Sequence, residues 1–251
     1  SVQADSKLAA CPMPTYLFVL CPPYCGSTLL WKLLATSPNA SALPAEGQFL
    51  PEVESIMRDR PWHRDRDMPW EEIRAAWETH WDMDKPVLLE KSPPNLIRAQ
   101  AIARHFDPCR FIIMVRNPYA HAEGLMRRND WSVTRAGNFA LMCLRSQLEN
   151  TLVLDTPLVM TYESLVEDPG ASCARLQAFL PELEALDHSA DFEVHSVEGT
   201  AQRPITDFNA QKIAALSDED FEALNNLFLP QRELLRDWGY AFMPARAGAA
   251  A

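Results

Sequence analysis

At 251 residues, 47% hydrophobic and 23% charged, the chain has the make-up of a globular protein with a sizeable core, and its length suits one large domain or two small ones. A formal net charge of −11 argues against a polyanionic partner, because readers of nucleic acid or heparin present a basic face; a small anionic ligand in one local pocket stays compatible. No run approaches the roughly 18 apolar residues of a spanning helix, and the opening SVQADSKLAACPMP has no basic region followed by an apolar stretch, so neither a membrane span nor a signal peptide is expected.

Six cysteines (Cys11, Cys21, Cys25, Cys109, Cys143, Cys173) are scattered without a C-x-x-C pair, which disfavours a zinc site and fits a reducing, cytoplasmic setting. Their even number leaves disulfides open.

In chain order, the first element is the apolar run YLFVL (16–20), which reads as a buried strand. It runs into CPPYCGSTLLWKLL, a tight turn and then a helix starting at a Ser/Thr cap. Strand, turn and helix is the geometry in which backbone N–H groups receive an anion. Gly26 allows close approach, and Ser27 and Thr28 offer hydroxyls. The loop has neither the first Gly nor the Lys of the nucleotide-triphosphate loop G-x-x-x-x-G-K-[ST]. Residues 51–86 are charge-dense and hold Trp62, Trp70, Trp77 and Trp81, four of the seven tryptophans. They read as a helical insertion whose rings either pack on the main body or form a lid or acceptor wall; aromatic composition alone decides neither.

A second strand, VLLE (87–90), delivers Glu90 and Lys91 to its end, before a helix opening with Pro in PPNLIRAQAIARHF. A carboxylate and an ammonium there suit a base and a charge stabiliser, or equally a surface pair. A third strand, RFIIMV (110–115), ends on Arg116, where an arginine forks onto a phosphate or pairs with a neighbouring acid. Helical patterns follow in PYAHAEGLMRR and AGNFALMCLRSQLENTL, then a fourth strand in PLVMTY (157–162). SDEDFEALNNLFLPQRELLRDWGY reads as a long helix with a Ser cap and an acidic first turn. Continuous apolar strands alternating with helices predict an α/β fold, with a central parallel sheet flanked by helices. We find no internal repeat, and only an Ala/Gly-rich, flexible tail from Ala245.

Together these segments resemble the sulfotransferases that use 3′-phosphoadenosine-5′-phosphosulfate (PAPS), in particular their bacterial and tyrosyl-protein branches. PPYCGSTLLWKLLATSPN is similar to the family's 5′-phosphosulfate loop P-[KR]-S-G-[ST]-[ST], VRNPYAHAEGL to its 3′-phosphate motif, and LLEKSPPN to its E-K-[ST]-P element. PLVMTYESLVEDPGASCARLQAFL and RDWGY resemble recurrent later segments, and the set appears in order over about residues 15–240. The resemblance implies a single sulfotransferase-like domain with a P-loop-like first turn, transferring a sulfuryl group from PAPS to a hydroxyl or amine of a small-molecule acceptor. No metal and no nucleic acid partner is expected.

The same resemblance implies a donor site of Tyr24, Cys25, Gly26, Ser27, Thr28 and Leu29, with Arg116, Gly124 and Arg203 at the 3′-phosphate. Catalytic candidates are Lys91, with Glu90 (the E-K-[ST]-P position) or Glu46 (near the tyrosyl-protein position) as base. Three departures stand out: Tyr24 occupies the place of the loop's basic residue, Cys25 that of its Ser, and Gly124 that of the 3′-phosphate Ser. They single out Lys91 as the replacement cation, with Lys32 expected to point away and His121 to be structural or at the rim. They also keep two alternatives open, a degenerate member that binds a nucleotide or partner without turnover and a nucleotide-dependent phosphotransferase.

Overall fold

In the computed structural model of the chain, residues 13–244 are described; Cys11 and the tail from Ala245 lie outside them. β1 (Thr15–Leu20) leads to α1 (Ser27–Leu34), β2 (Ala40–Ala42), α2 (Glu54–Met57), α3 (Trp70–Glu78), β3 (Val87–Glu90) and α4 (Ala99–His105). β4 (Cys109–Val115), α5 (Pro118–Asn129), α6 (Val133–Val153), β5 (Leu158–Thr161), α7 (Tyr162–Glu167) and α8 (Pro169–Phe179) follow. A hairpin of β6 (Phe192–Ser196) and β7 (Gly199–Arg203) precedes α9 (Asn209–Ala214), α10 (Asp218–Phe228) and α11 (Arg232–Asp237).

Five strands form one sheet in the order β2-β3-β1-β4-β5, and every pairing in it is parallel. The order reverses around β1: the chain leaves it towards β2 and returns on the other side through β4. In open sheets of this kind, ligands sit in the crevice beyond the strand ends at that reversal. Alternation along β1 splits the core in two. Tyr16, Phe18 and Leu20 face one cluster, Leu17, Val19 and Cys21 the other. All four strands expected from the sequence are present, and the sheet is buried between helical layers, as continuous apolar strands require.

Differences from the sequence reading have local causes. β2 is three residues of Ala-Ser-Ala, too short and too small to give a strand signal. The long C-terminal helix is three pieces, because Pro230 withdraws a backbone donor and leaves a 3-10 turn, Leu229–Gln231, between α10 and α11. Residues 51–86 are helical only over α2 and α3; between these runs an irregular strap containing Pro61 and Pro69. Of its four tryptophans, Trp70, Trp77 and Trp81 are buried in the first cluster against Tyr16, Phe18 and Phe106, while Trp62 is half-buried at a cavity wall. Three of the rings thus pack on the main body, and one lines a cavity. No helix among the described residues is long and apolar enough to cross a membrane.

Candidate active site

The turn after β1 owes its shape to two residues in the left-handed region, Tyr24 (φ 62°) and Gly26 (φ 89°). A side chain at Gly26 has no room: its Cβ would stand 2.6 Å from the ring of Tyr162. The turn brings the amide end of α1, at Ser27 and Thr28, to the mouth of a cavity of about 520 Å³. Tyr24, Gly26, Ser27, Thr28 and Leu29 all line it. Cys25 does not. Its side chain is fully buried in the second core cluster, and burial holds its thiol well above the ordinary range.

Arg116 leaves the end of β4 and lines the cavity from the far side of the turn. Its guanidinium lies 3.8 Å over the Tyr162 ring, donates from Nε to Asn209 Oδ1 (2.7 Å) and from Nη1 to the Tyr24 carbonyl (3.1 Å). Its Nη2 is buried without a partner. An unpaired buried donor is costly, and a cavity-facing arginine can recover that cost from an anion.

Beside it stands a cation that no motif announced. Lys212, on α9, is 2% exposed, lines the cavity, and sits 3.3 Å from Glu123 Oε2. Burial, then the nearby Arg116, pull its pKa down to about 8, with Glu123 opposing. A Cβ on Gly124 would lie 3.2 Å from the Lys212 ammonium and 3.0 Å from Tyr24 Cβ. The glycine at the family's serine position thus makes room for an ammonium. Asn209 and Lys212 are three residues apart, on one face of α9. Arg203 is elsewhere: it stands exposed on β7, 3.3 Å from Glu198, and is not among the residues lining the cavity.

Of the acid–base candidates, only Glu46 lines the cavity. Lys91, 4% exposed, is not among the lining residues and reaches the site through its partners: its Nζ donates to Glu46 Oε1 at 2.5 Å and stands 3.5 Å from Thr28 Oγ1. Glu46 lines the cavity, and its second oxygen accepts from Gln48 Nε2 at 2.5 Å. The turn that presents Glu46 is pinned from behind. Trp77 donates to the Gly47 carbonyl (3.1 Å), and its ring leaves no space for a Cβ on Gly47.

Glu90 is part of that support. It is 1% exposed and lies behind the cavity wall. Its carboxylate accepts from Gly47 N (2.9 Å), Ser92 Oγ (2.5 Å) and Asn95 Nδ2 (2.7 Å). Burial pushes its pKa up to about 7 against two of those hydrogen bonds, and the neighbouring Glu46 adds to the rise. Lys32 is not among the residues lining the cavity, but its ammonium stands 3.7 Å from Glu193, which does line it. His121 is buried against Phe139 and beside Pro23, and burial followed by the charges of Arg116 and Lys212 holds its pKa down to about 3, so the ring is neutral.

A parallel sheet with an anion-receiving turn after its first strand, and cations approaching that turn from β3, β4 and α9, defines a P-loop-like α/β group-transfer protein. A family model described as "Sulfotransferase family" matches residues 14–185, more than half of the chain, and the chain belongs to that family. No curated protein matches the sequence. Among solved structures, it is similar to the sulfotransferase domain of the Synechococcus PCC 7002 olefin synthase (19% identity, 92% of this chain and 97% of that one, TM-score 0.59). It is also similar to a sulfotransferase from Alicyclobacillus acidocaldarius (17% identity, 90% and 95% covered, TM-score 0.56). Mouse sulfotransferase SULT7A1, solved complexed with PAP, shares 14% identity over 88% of this chain and 85% of that one, with a TM-score of 0.50. At these identities the likeness is one of fold.

Proposed function

We propose that the chain moves a sulfuryl group from PAPS to a hydroxyl or amine of a small-molecule acceptor, with donor and acceptor meeting in the cavity between β1, β3 and β4. One observation carries the reading furthest. The buried Lys91 ammonium bridges the Glu46 carboxylate and the Thr28 hydroxyl, so one cation touches both the anion-receiving turn and a carboxylate that faces the cavity.

In this reading the 5′-phosphate lies on the turn from Tyr24 to Leu29, and the 3′-phosphate between Arg116 and Lys212. The acceptor's proton passes to Glu46 as the new bond to sulfur forms. The sulfur–oxygen bond to the 5′-phosphate breaks, and negative charge grows on the departing oxygen. Lys91 stands where an ammonium can stabilise that charge, a role worth roughly 2.7–4 kcal/mol for one well-placed donor. Tyr24 leaves the cation's place empty in the loop, and Lys91 fills it from β3. Glu46 is preferred to Glu90 as base because it faces the cavity, whereas three donors already hold Glu90. Arg203, paired with Glu198, is left out of this donor site.

Thermal melting tests the donor assignment. Adenosine 3′,5′-bisphosphate at a hundred times its dissociation constant should stabilise the chain by about 2.7 kcal/mol, and ATP should not. An equal shift with ATP, or no shift with either, overturns the reading; the first result would favour a nucleotide-dependent phosphotransferase.

A further inference from the structure

The cavity is also lined by Phe49, Trp62, Trp131 and Phe139, and by Pro93 and Pro94. Trp62 and Trp131 both meet Phe139 edge-on, at 4.8 and 5.2 Å. Phe49 is 41% exposed, the one aromatic ring among the large apolar side chains that the described residues leave exposed. It stands three residues from the cavity-facing carboxylate, Glu46.

The strap that carries Trp62 is rich in arginine, and its arginines differ in what they bind. Arg60 and Arg66 face Asp59, and Arg64 pairs with Glu149. The buried Arg98 holds the strap from beneath, donating to the carbonyls of Met57 (3.4 Å) and Pro61 (2.8 Å). Arg58, between those two clamped carbonyls, pairs with no carboxylate among the described residues. Its guanidinium lies 4.6 Å over the Phe49 ring and lines the cavity. In a chain of net charge −11, an arginine kept free of acids and stacked on a cavity aromatic is set up for an external anion. A single guanidinium balances a single negative charge, which matches a carboxylate.

We infer that the acceptor is a planar, largely apolar hydroxyl or amine compound carrying a carboxylate. Its ring lies among Trp62, Trp131 and Phe139, and its carboxylate on Arg58 over Phe49, with the reacting group at Glu46. This rests on the assignment of the donor turn and Glu46 made above.

The test uses a matched pair of probes, 3-(4-hydroxyphenyl)propanoate and its methyl ester. Their binding to the full chain is measured by titration calorimetry and tryptophan fluorescence, with and without adenosine 3′,5′-bisphosphate. The acid should bind at least about tenfold tighter than the ester, as a charge-assisted contact implies. Arg58→Gln should erase that preference, leave the ester within about twofold, and leave bisphosphate binding unchanged; Arg58→Lys should restore part of it. Equal binding of acid and ester, a preference that survives Arg58→Gln, binding of neither probe, or loss of bisphosphate binding in Arg58→Gln overturns the inference. Failure of the donor reading shows separately, as absence of the bisphosphate melting shift in the same wild-type sample.

Discussion

Replacing Lys212 by Met removes one ammonium from the cavity while keeping most of the side chain's volume. A hydrogen bond to a charged group contributes about 1.5–3 kcal/mol. Two features of the structure place this case at the low end. Lys212 divides its charge between the cavity and Glu123, 3.3 Å away, and it sits close enough to Arg116 for their like charges to oppose each other. A loss of about 1.5–2 kcal/mol corresponds to roughly 10- to 30-fold in affinity. The fold should tolerate the change, because Glu123 keeps Arg127 Nε at 2.6 Å and is not left as an unpaired buried charge. Calorimetric titration of adenosine 3′,5′-bisphosphate and of adenosine 5′-monophosphate reads the effect. The bisphosphate should weaken by that factor, and the monophosphate by less than about threefold. Equal losses for both, or none for the bisphosphate with the variant folded, would refute the placement of the 3′-phosphate at Lys212.

Three more outcomes follow from the same geometry. Burial brings the pKa of Lys212 down to about 8, so bisphosphate affinity should fall as pH rises through that value; the phosphate's own second ionisation, near 6, is complete there, and the decline should vanish in Lys212→Met. Glu46→Gln should lower turnover by roughly 10²–10⁴ with bisphosphate affinity kept, whereas Glu90→Gln should act mainly on melting temperature; the reverse pattern in kinetics and melting would return the base to Glu90. Lys91→Ala should cost turnover about 10²–10³-fold, measured as sulfuryl transfer to any acceptor that supports it, and a loss under tenfold would remove Lys91 from the transition state.

Much of the scaffold was readable because buried parallel strands are written as unbroken apolar runs. YLFVL, VLLE and RFIIMV needed no partner information to be recognised, and each also delivers a site element at its C-terminal end. The turn after β1 and Arg116 were readable for the same reason. What escaped was set by tertiary contact. Whether Glu46 or Glu90 faces the cavity depends on the distant Trp77 pinning Gly47 and on Gly47, Ser92 and Asn95 all turning their donors onto Glu90, contacts that the fold makes and the sequence does not display. Lys212 stands 89 residues from its partner Glu123, and NAQKIA carries no pattern that marks it. Arg203 looked suitable by its place in the chain, but the β6–β7 hairpin turns it outward to Glu198. Gly124 reads as a lost hydroxyl in the sequence and as space for an ammonium in the structure.

The most direct test is a crystal structure of the chain with adenosine 3′,5′-bisphosphate bound. The 5′-phosphate should lie on the turn from Tyr24 to Leu29, within hydrogen-bond reach of the Lys91 ammonium, and the 3′-phosphate between Arg116 Nη2 and Lys212. A nucleotide bound elsewhere, or a Lys91 ammonium more than one water away from the 5′-phosphate and the position of the transferred sulfonate, would contradict the account.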